Sequence, residues 1–357
     1  MGNLLRKPKG GLEEMPMEVL NKIAEEAGFV SIQRLRAVSR RLHKFVTEIK
    51  PHYFMQKIAI SLKRDSIKLI LTEANTSFTI TFSKYHLGTT KVTVEGRSMA
   101  KLTNYFDTFF TFLNDVLGRQ KSIIEEFEIK MMKNVNIFQA INPEFESMNS
   151  KFVAELQKTI HEKTWRNKLR TKQVRVYGHQ QNLLDVLALL DADCLKAIEF
   201  FVLNVGGRNC SEELIGLEQW NAAEELSAYI APRGQGIGVR RELLPLRGIP
   251  IIKLTHFIRL SGYFGTVTTK ELDFLRKTYA ENSKFESAEI LARTLIRVKP
   301  RDPIEHARWR RLRNAEHFYK TKSPDHVVGH FFGRDRSHFR RIPLTEVPQN
   351  VEIEDLP

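Results

Sequence analysis

The apolar residues of this chain change their spacing at Pro51, and that change limits what the chain can fold into. Before it, Val19, Leu20, Ile23 and Ala27, then Ile32, Leu35 and Val38, then Leu42, Phe45, Val46 and Ile49 recur at helical intervals. After it, Ile58, Ile60 and Leu62 alternate with polar residues, as do Ile67, Leu69 and Leu71, then Phe78, Ile80 and Phe82, then Val92 and Val94. Alternation of this kind marks half-buried strands, and polar breaks at 63–66 and 73–76 suit hairpins. The spacing therefore predicts three short helices over 12–49 and an antiparallel meander over 57–95.

Punctuation supports the helical half. Pro16 suits a first helical position, where its missing N–H would have no partner anyway. Gly28 reads as a stop, and Ser31 and Ser39 as caps of the second and third helices. Pro51 closes the unit. A unit this short buries too little surface to hold itself together. Its apolar positions must share a core with the rest of the chain or with a partner.

Beyond the meander, Leu102, Tyr105, Phe106, Phe109, Phe110, Leu113, Val116 and Leu117 predict a helix with a broad apolar stripe, read as core. Strands and helices then alternate. Val174, Ile198, Leu226 and Phe257 stand 24, 28 and 31 residues apart and mark strand starts. Leu-x-x-Leu-x-Leu spacing of this kind resembles leucine-rich repeats, without their asparagine. Either as loose repeats or as an ordinary α/β domain, the expected form is a parallel or mixed sheet with helices on one face. Thr268 and Glu271 form a candidate capping box for a helix carrying Leu272, Leu275 and Tyr279. With 357 residues, 42% of them apolar, the chain can bury two or three domains. The expected class is mixed, α+β with α/β units.

The order Met15-Pro16-x-Glu18-Val19-Leu20-x-x-Ile23, followed by Ile32-x-x-Leu35-x-x-Val38-Ser39-Arg40-x-Leu42-x-x-Phe45, resembles the F-box. Here Met-Pro replaces the usual Leu-Pro, and Ser39 stands where cysteine is common. The stretches LEQW at 217–220, HFIRLSGYFGTVTTKELDFLRKTY from His256 and HFRRIPLTEVPQNVEIED at 338–355 resemble the nematode F-box A family. That family joins an F-box to a carboxy-terminal FTH domain. The aromatic helix and the following RQKSIIEEFEI are similar to the start of that domain, whereas 231–250 and 285–313 depart from the family.

The resemblance implies a division into a basic tail (1–11), an F-box (12–51), the meander (52–98), an FTH-like substrate-recognition domain (99–350) and an acidic tail (351–357). It implies docking on a Skp-type adaptor, and through it a cullin, with an unidentified protein as substrate. Pro16, Val19, Leu20, Leu35, Val38 and Leu42 are the implied adaptor contacts, with Met15 as the entry anchor, and inward-facing positions among the six are an open alternative. The basic Arg34, Arg36, Arg40, Arg41 and Lys44 can steer an acidic adaptor.

No catalytic set accompanies these features. Gly234, Gly236 and Gly238 lack the strand and spacing of a dinucleotide fingerprint. Cys194 and Cys210 are too few for a disulfide framework or a thiolate metal site, and suit a reducing cytosol or nucleus. His326 and His330 share an i, i+4 spacing, but Val327, Val328 and Gly329 favour a strand or turn there. The expectation is a non-enzyme without cofactor or metal. No run is long enough to span a bilayer, and no membrane role is expected.

The net charge of +14 favours anionic partners. Residues 301–341 carry eleven Lys or Arg against five Asp or Glu, with aromatics between them. That gives a rival reading, a non-catalytic adaptor or RNA-associated scaffold. Arg308, Arg310, Arg311 and Arg313 would be its anion-binding residues. The reading preferred here is a solvated basic rim around core aromatics.

Overall fold

In the computed structural model the first three helices are α1 (Met17–Glu26), α2 (Phe29–Val38) and α3 (Arg40–Ile49). The structure describes residues 12, 15–74, 76–131, 143–164, 167–202, 209–230, 246, 248–296, 316–333, 336–349 and 351–355. Two compact units divide the chain. One comprises Met1–Glu128 with Ala154–Leu169, the other Ile129–Val153 with Arg170–Pro357. The boundary expected at residue 98 thus falls inside the first unit.

The helix boundaries differ from expectation in instructive ways. Pro16 sits one residue outside α1, as its N-cap. Gly28 is extended, with φ of −65°, so it does not end α1 by a left-handed turn. It is the N-cap of α2, which begins before Ser31. The reason for glycine is close approach. A Cβ there would lie 2.6 Å from the Glu73 carboxylate, which accepts the Phe29 N–H and caps α2 from a neighbouring strand. Ser39 caps α3 as expected, its hydroxyl accepting from the Leu42 N–H at 3.2 Å. Lys50 ends α3 in the left-handed region, φ 46°.

The meander is β1 (Lys57–Lys63), β2 (Ser66–Glu73), β3 (Thr76–Lys84) and β4 (Thr90–Val94), joined by β5 (Arg97–Lys101). Helix α4 (Tyr105–Arg119) and strand β6 (Ile124–Lys130) follow. The order in this unit is β6-β1-β2-β3-β4-β5, with consecutive meander strands antiparallel. One face of the meander, with Ile67, Leu69, Leu71, Ile80 and Phe82, is buried. Phe109 of α4 meets Phe82 edge-on at 5.6 Å. Leu102 lies before α4 and is 95% exposed, so it is no part of the stripe.

Phe29 joins the small helices to this core. It is 1% exposed and packs edge-on against Tyr53 at 4.9 Å and Phe78 at 5.4 Å. The amino-terminal helices therefore share a core with their own chain.

The second unit takes in the end of β6 and the start of α5 (Pro143–Lys163), and continues with β7 (Thr171–Gly178), α6 (Gln180–Leu187) and β8 (Ala197–Val202). Then come α7 (Ser211–Gly216), α8 (Glu218–Ala222), β9 (Glu225–Ile230), β10 (Arg259–Thr268), α9 (Thr269–Glu281) and β11 (Ser287–Ile296). Strands β7 to β11 are parallel and adjacent in chain order. Val174, Ile198, Leu226, Leu260 and Ala288 align in register, and all are buried. The fourth strand thus begins at Arg259, and Leu260 rather than Phe257 occupies the repeating position. Thr268 and Glu271 form the expected capping box.

The sheet continues antiparallel through β14 (Arg336–Pro343), β13 (His326–Phe332) and β12 (Glu316–Lys320). The expected acidic tail closes it instead. Ile353–Glu354 form β15, parallel to β12, and Val347, Val351 and Ile353 pack on Phe318, Val327 and Ile342. An apolar residue every few positions gives this tail something to bury.

Candidate functional site

Two surfaces could serve recognition, one in each unit. The first is the outer side of α1 to α3. The seven expected adaptor residues do not share one environment. Leu20 and Leu42 are 1% and 0% exposed and belong to the interior with Ala24, Ile32, Phe45 and Val46. Met15 and Leu35 are half-buried and Pro16 is exposed. Val19 and Val38 are 42% and 60% exposed. Helical geometry explains the split between Val19 and Leu20. Neighbouring residues point about 100° apart, so one faces the core and the other solvent. Met17, 44% exposed, adds an apolar side chain that the motif reading missed. The surface is thus an apolar set at the start of α1 and the end of α2.

The second and third helices also carry cations. Arg34, Arg40, Arg41 and Lys44 are exposed, whereas Arg36 is tied to Asp115 at 3.4 Å. Lys44 pairs with Glu48 one turn on, at 3.7 Å. At the α1–α2 junction, a cleft of about 360 Å³ is lined by Glu26, Gly28, Ser31, Phe54 and Glu73. Its Glu73 carboxylate is committed to the Phe29 and Phe54 amides, so the cleft reads as part of the α2 cap.

The second surface is the face of β7 to β11 opposite the buried column. Arg175, Glu199, Ser227, Ser261 and Glu289 align across it. Arg175 donates to both Glu199 carboxylate oxygens, at 2.6 and 3.1 Å. Arg259 lies between Glu225 and Glu286, and the bond it donates to Glu225 raises its pKa still further. Ser261 donates to Glu289 at 3.2 Å and accepts from the Tyr229 hydroxyl at 2.6 Å. Two residues further along the strands, on the same face, stands an aromatic row. Tyr177 and Phe201 stack at 4.6 Å with planes 10° apart, and Tyr229 follows 6.0 Å from Phe201. Lys130 places its ammonium 4.6 Å from the Tyr177 ring.

This row has a chemical consequence. Tyr177 and Phe201 turn a ring face to each other, Tyr177 also meets Lys130, and the Tyr229 hydroxyl donates to Ser261, so the half-buried row presents ring edges. Nucleobases stack on open ring faces, which Tyr177 and Phe201 do not offer to each other's side. The row suits apolar and hydrogen-bonding protein groups better. Sequence reading missed it, although Tyr177, Phe201 and Tyr229 repeat at the same 24- and 28-residue intervals as the buried column.

Arg308, Arg310, Arg311 and Arg313, with Gly234, Gly236 and Gly238, lie outside the described residues. In the described part of the basic segment, Phe318, Tyr319, Phe332 and Phe339 are buried. Its cations are partly engaged. Arg340 pairs with Glu316 at 3.0 Å, Lys320 with Asp355 at 2.9 Å, and Arg341 donates to the Asn282 and Ser283 carbonyls. In this described part, the cations border buried aromatics.

His330 lies in β13, stacked 4.0 Å on Phe339, its Nε2 2.6 Å from the Ser337 hydroxyl. Burial lowers its pKa well below the ordinary value, and Arg276, His317 and His338 add to that. Cys210 is buried, its Sγ 3.2 Å from Gln181 Oε1. Among the described residues no group of three or more His, Cys, Asp or Glu is placed to hold a metal ion. Nor is any described helix long and apolar enough to cross a membrane.

The stretches LEQW and HFIRL meet in the interior of the second unit. Trp220, 0% exposed, packs edge-on against Phe257 at 5.5 Å, and the His256 ring lies 3.1 Å from the Trp220 carbonyl. Residues 150–309 match the FTH domain family. The matched span runs from within α5 through β11. It begins after α4 and β6, which had been expected to open that domain. Comparison with curated proteins finds no match, and comparison with solved structures finds none either.

Proposed function

We propose that this chain is a non-catalytic substrate-recognition subunit of a Skp–cullin–F-box type ubiquitin ligase. The observation that carries this is the FTH match over 150–309, since FTH is an F-box-associated domain family. It stands behind three amino-terminal helices with the F-box order of residues. In this reading the adaptor meets Pro16, Met17, Val19 and Val38, with Met15 and Leu35 at the margin. Leu20 and Leu42 hold the helices together from inside and act only indirectly. The parallel-sheet face, with its aromatic row, receives the protein substrate. The chain makes and breaks no bond. It holds a substrate near the ligase, so that ubiquitin transfer becomes effectively intramolecular. The reading places the protein in the cytosol or nucleus, where such ligases work.

The test is co-purification with a Skp-type adaptor, comparing the wild type with Val19→Asp/Val38→Asp. Both sites are exposed, so each substitution should change folding by less than about 0.5 kcal/mol. A buried charge at the interface should instead lower adaptor affinity by about a hundredfold. Absence of capture by the wild type, or equal capture by a folded variant, would overturn the proposal.

A further inference from the structure

The meander has a second face, and its charge is unlike that of the rest of the unit. On strands β1 to β5 the side chains opposite the buried ones are mostly serine, threonine and lysine. Lys63, Ser66, Ser83 and Lys91 align across β1 to β4, and Lys68 with Thr81 forms the adjoining row. Lys63 and Lys91 are exposed, and Lys68, Ser66, Thr81 and Ser83 are half-buried. These three lysines have no carboxylate within ion-pair distance among the described residues. Lys57, on the same face of β1, is different. It is held by Glu126 at 2.8 Å and Glu128 at 3.3 Å.

The carboxylates of β1 to β5 stand elsewhere. Asp65 and Glu95 are in hairpin turns, and Glu73 caps α2 from the other face. Three lysines thus surround a floor of short hydroxyl side chains, partly bonded to their own sheet. Ser83, for example, donates to the Lys91 carbonyl at 3.1 Å. A flat floor with raised cations admits an extended chain rather than a compact ligand.

We propose that this face docks an extended, acidic protein segment. The charge is complementary and so is the spacing. With strands about 4.8 Å apart, the Lys63 and Lys91 backbones are separated by about 14 Å, with Lys68 about 8 Å from Lys63. Carboxylates at alternate residues of an extended segment lie about 7 Å apart, so residues i, i+2 and i+4 span about 14 Å. Single-stranded nucleic acid is the weaker fit, because no aromatic side chain stands on this face within the strands to stack a base. The proposal does not depend on the ligase reading.

The experiment uses the full chain and a fluorescent twelve-residue peptide alternating Glu and Ala. Binding is read by anisotropy at low and moderate salt. The variant is Lys63→Ser/Lys68→Thr/Lys91→Ser, residues that suit a sheet surface, with circular dichroism as the folding check. A charge-matched control, Lys158→Gln/Lys270→Gln/Lys277→Gln, removes three exposed lysines elsewhere. The expected result is binding that weakens about tenfold or more in the first variant and changes little in the control. Failure of the wild type to bind, equal loss in both variants, or no loss in the first would overturn the proposal. So would binding of an oligothymidine or of anionic-lipid vesicles in preference to the peptide.

Discussion

Replacing Arg276 by methionine should destabilise the second unit by about 2 kcal/mol. Arg276 is 5% exposed on α9. Its Nη1 donates to the Tyr319 hydroxyl at 2.8 Å, its Cζ lies 4.5 Å from the Tyr319 ring centre, and Asp273 neutralises it from the preceding turn. Methionine keeps most of the apolar stem, so the packing loss is below about 1.5 kcal/mol. The lost charged hydrogen bond contributes about 1.5–3 kcal/mol and the cation–π contact about 1 kcal/mol. Against this, a buried guanidinium no longer needs desolvation, and its Nε has no partner to lose. Asp273 is 36% exposed and rehydrates, so its pairing counts for less than about 1 kcal/mol. The balance leaves about 2 kcal/mol. Urea unfolding measures it, and a double-mutant cycle with Tyr319→Phe isolates the pair. The cycle should give a coupling of about 1–2 kcal/mol. A coupling below about 0.3 kcal/mol, with Arg276→Met as stable as wild type, would refute this assignment of the anchor between α9 and β12.

Thr268→Ala removes the hydroxyl that accepts the Glu271 N–H at 3.2 Å. It should cost about 1 kcal/mol in urea unfolding, and no change would show that α9 is held by packing alone. His330 makes stability pH-dependent. Its folded pKa is depressed by burial first, then by Arg276, His317 and His338. The unfolded chain takes up this proton near pH 6.5 while the folded chain does not, so stability present at neutral pH falls as pH drops below about 6.5. The slope from this one group reaches about 1.4 kcal/mol per pH unit. His330→Asn should flatten that part of the profile, and an unchanged slope between about pH 6.5 and 5 would remove His330 as its source.

Much of this fold is written in short-range spacing. The alternation in 57–95 predicts four meander strands, and the caps at Ser39 and Thr268 rest on bonds within three residues. Where sequence reading failed, a distant residue had intervened. Gly28 resembles a helix stop until Glu73, far along the chain, is seen to need the space of its missing Cβ. Ile353 resembles a loose tail residue until β12 supplies it with a partner strand. The repeat spacing at Phe257 was misplaced by three residues because the segment before β10 is packed under Trp220 instead of entering the sheet.

The same distinction governs the candidate surfaces. A motif gives the order of residues, and burial decides which of them remain to meet a partner. Phe29 draws the small helices onto the meander core, which commits Leu20 and Leu42 to the interior. That leaves Pro16, Met17, Val19 and Val38 with no interior role to explain their exposure. Charge follows the same logic. A total of +14 says little while the cations of the parallel-sheet face are matched by Glu199, Glu225 and Glu286. The meander lysines differ because their neighbours are hydroxyls, which solvate an ammonium weakly and leave its field open to an incoming carboxylate. Placement therefore separates two kinds of surface that net charge merges. One has its cations paired and presents aromatic edges, while the other sets its lysines among hydroxyls.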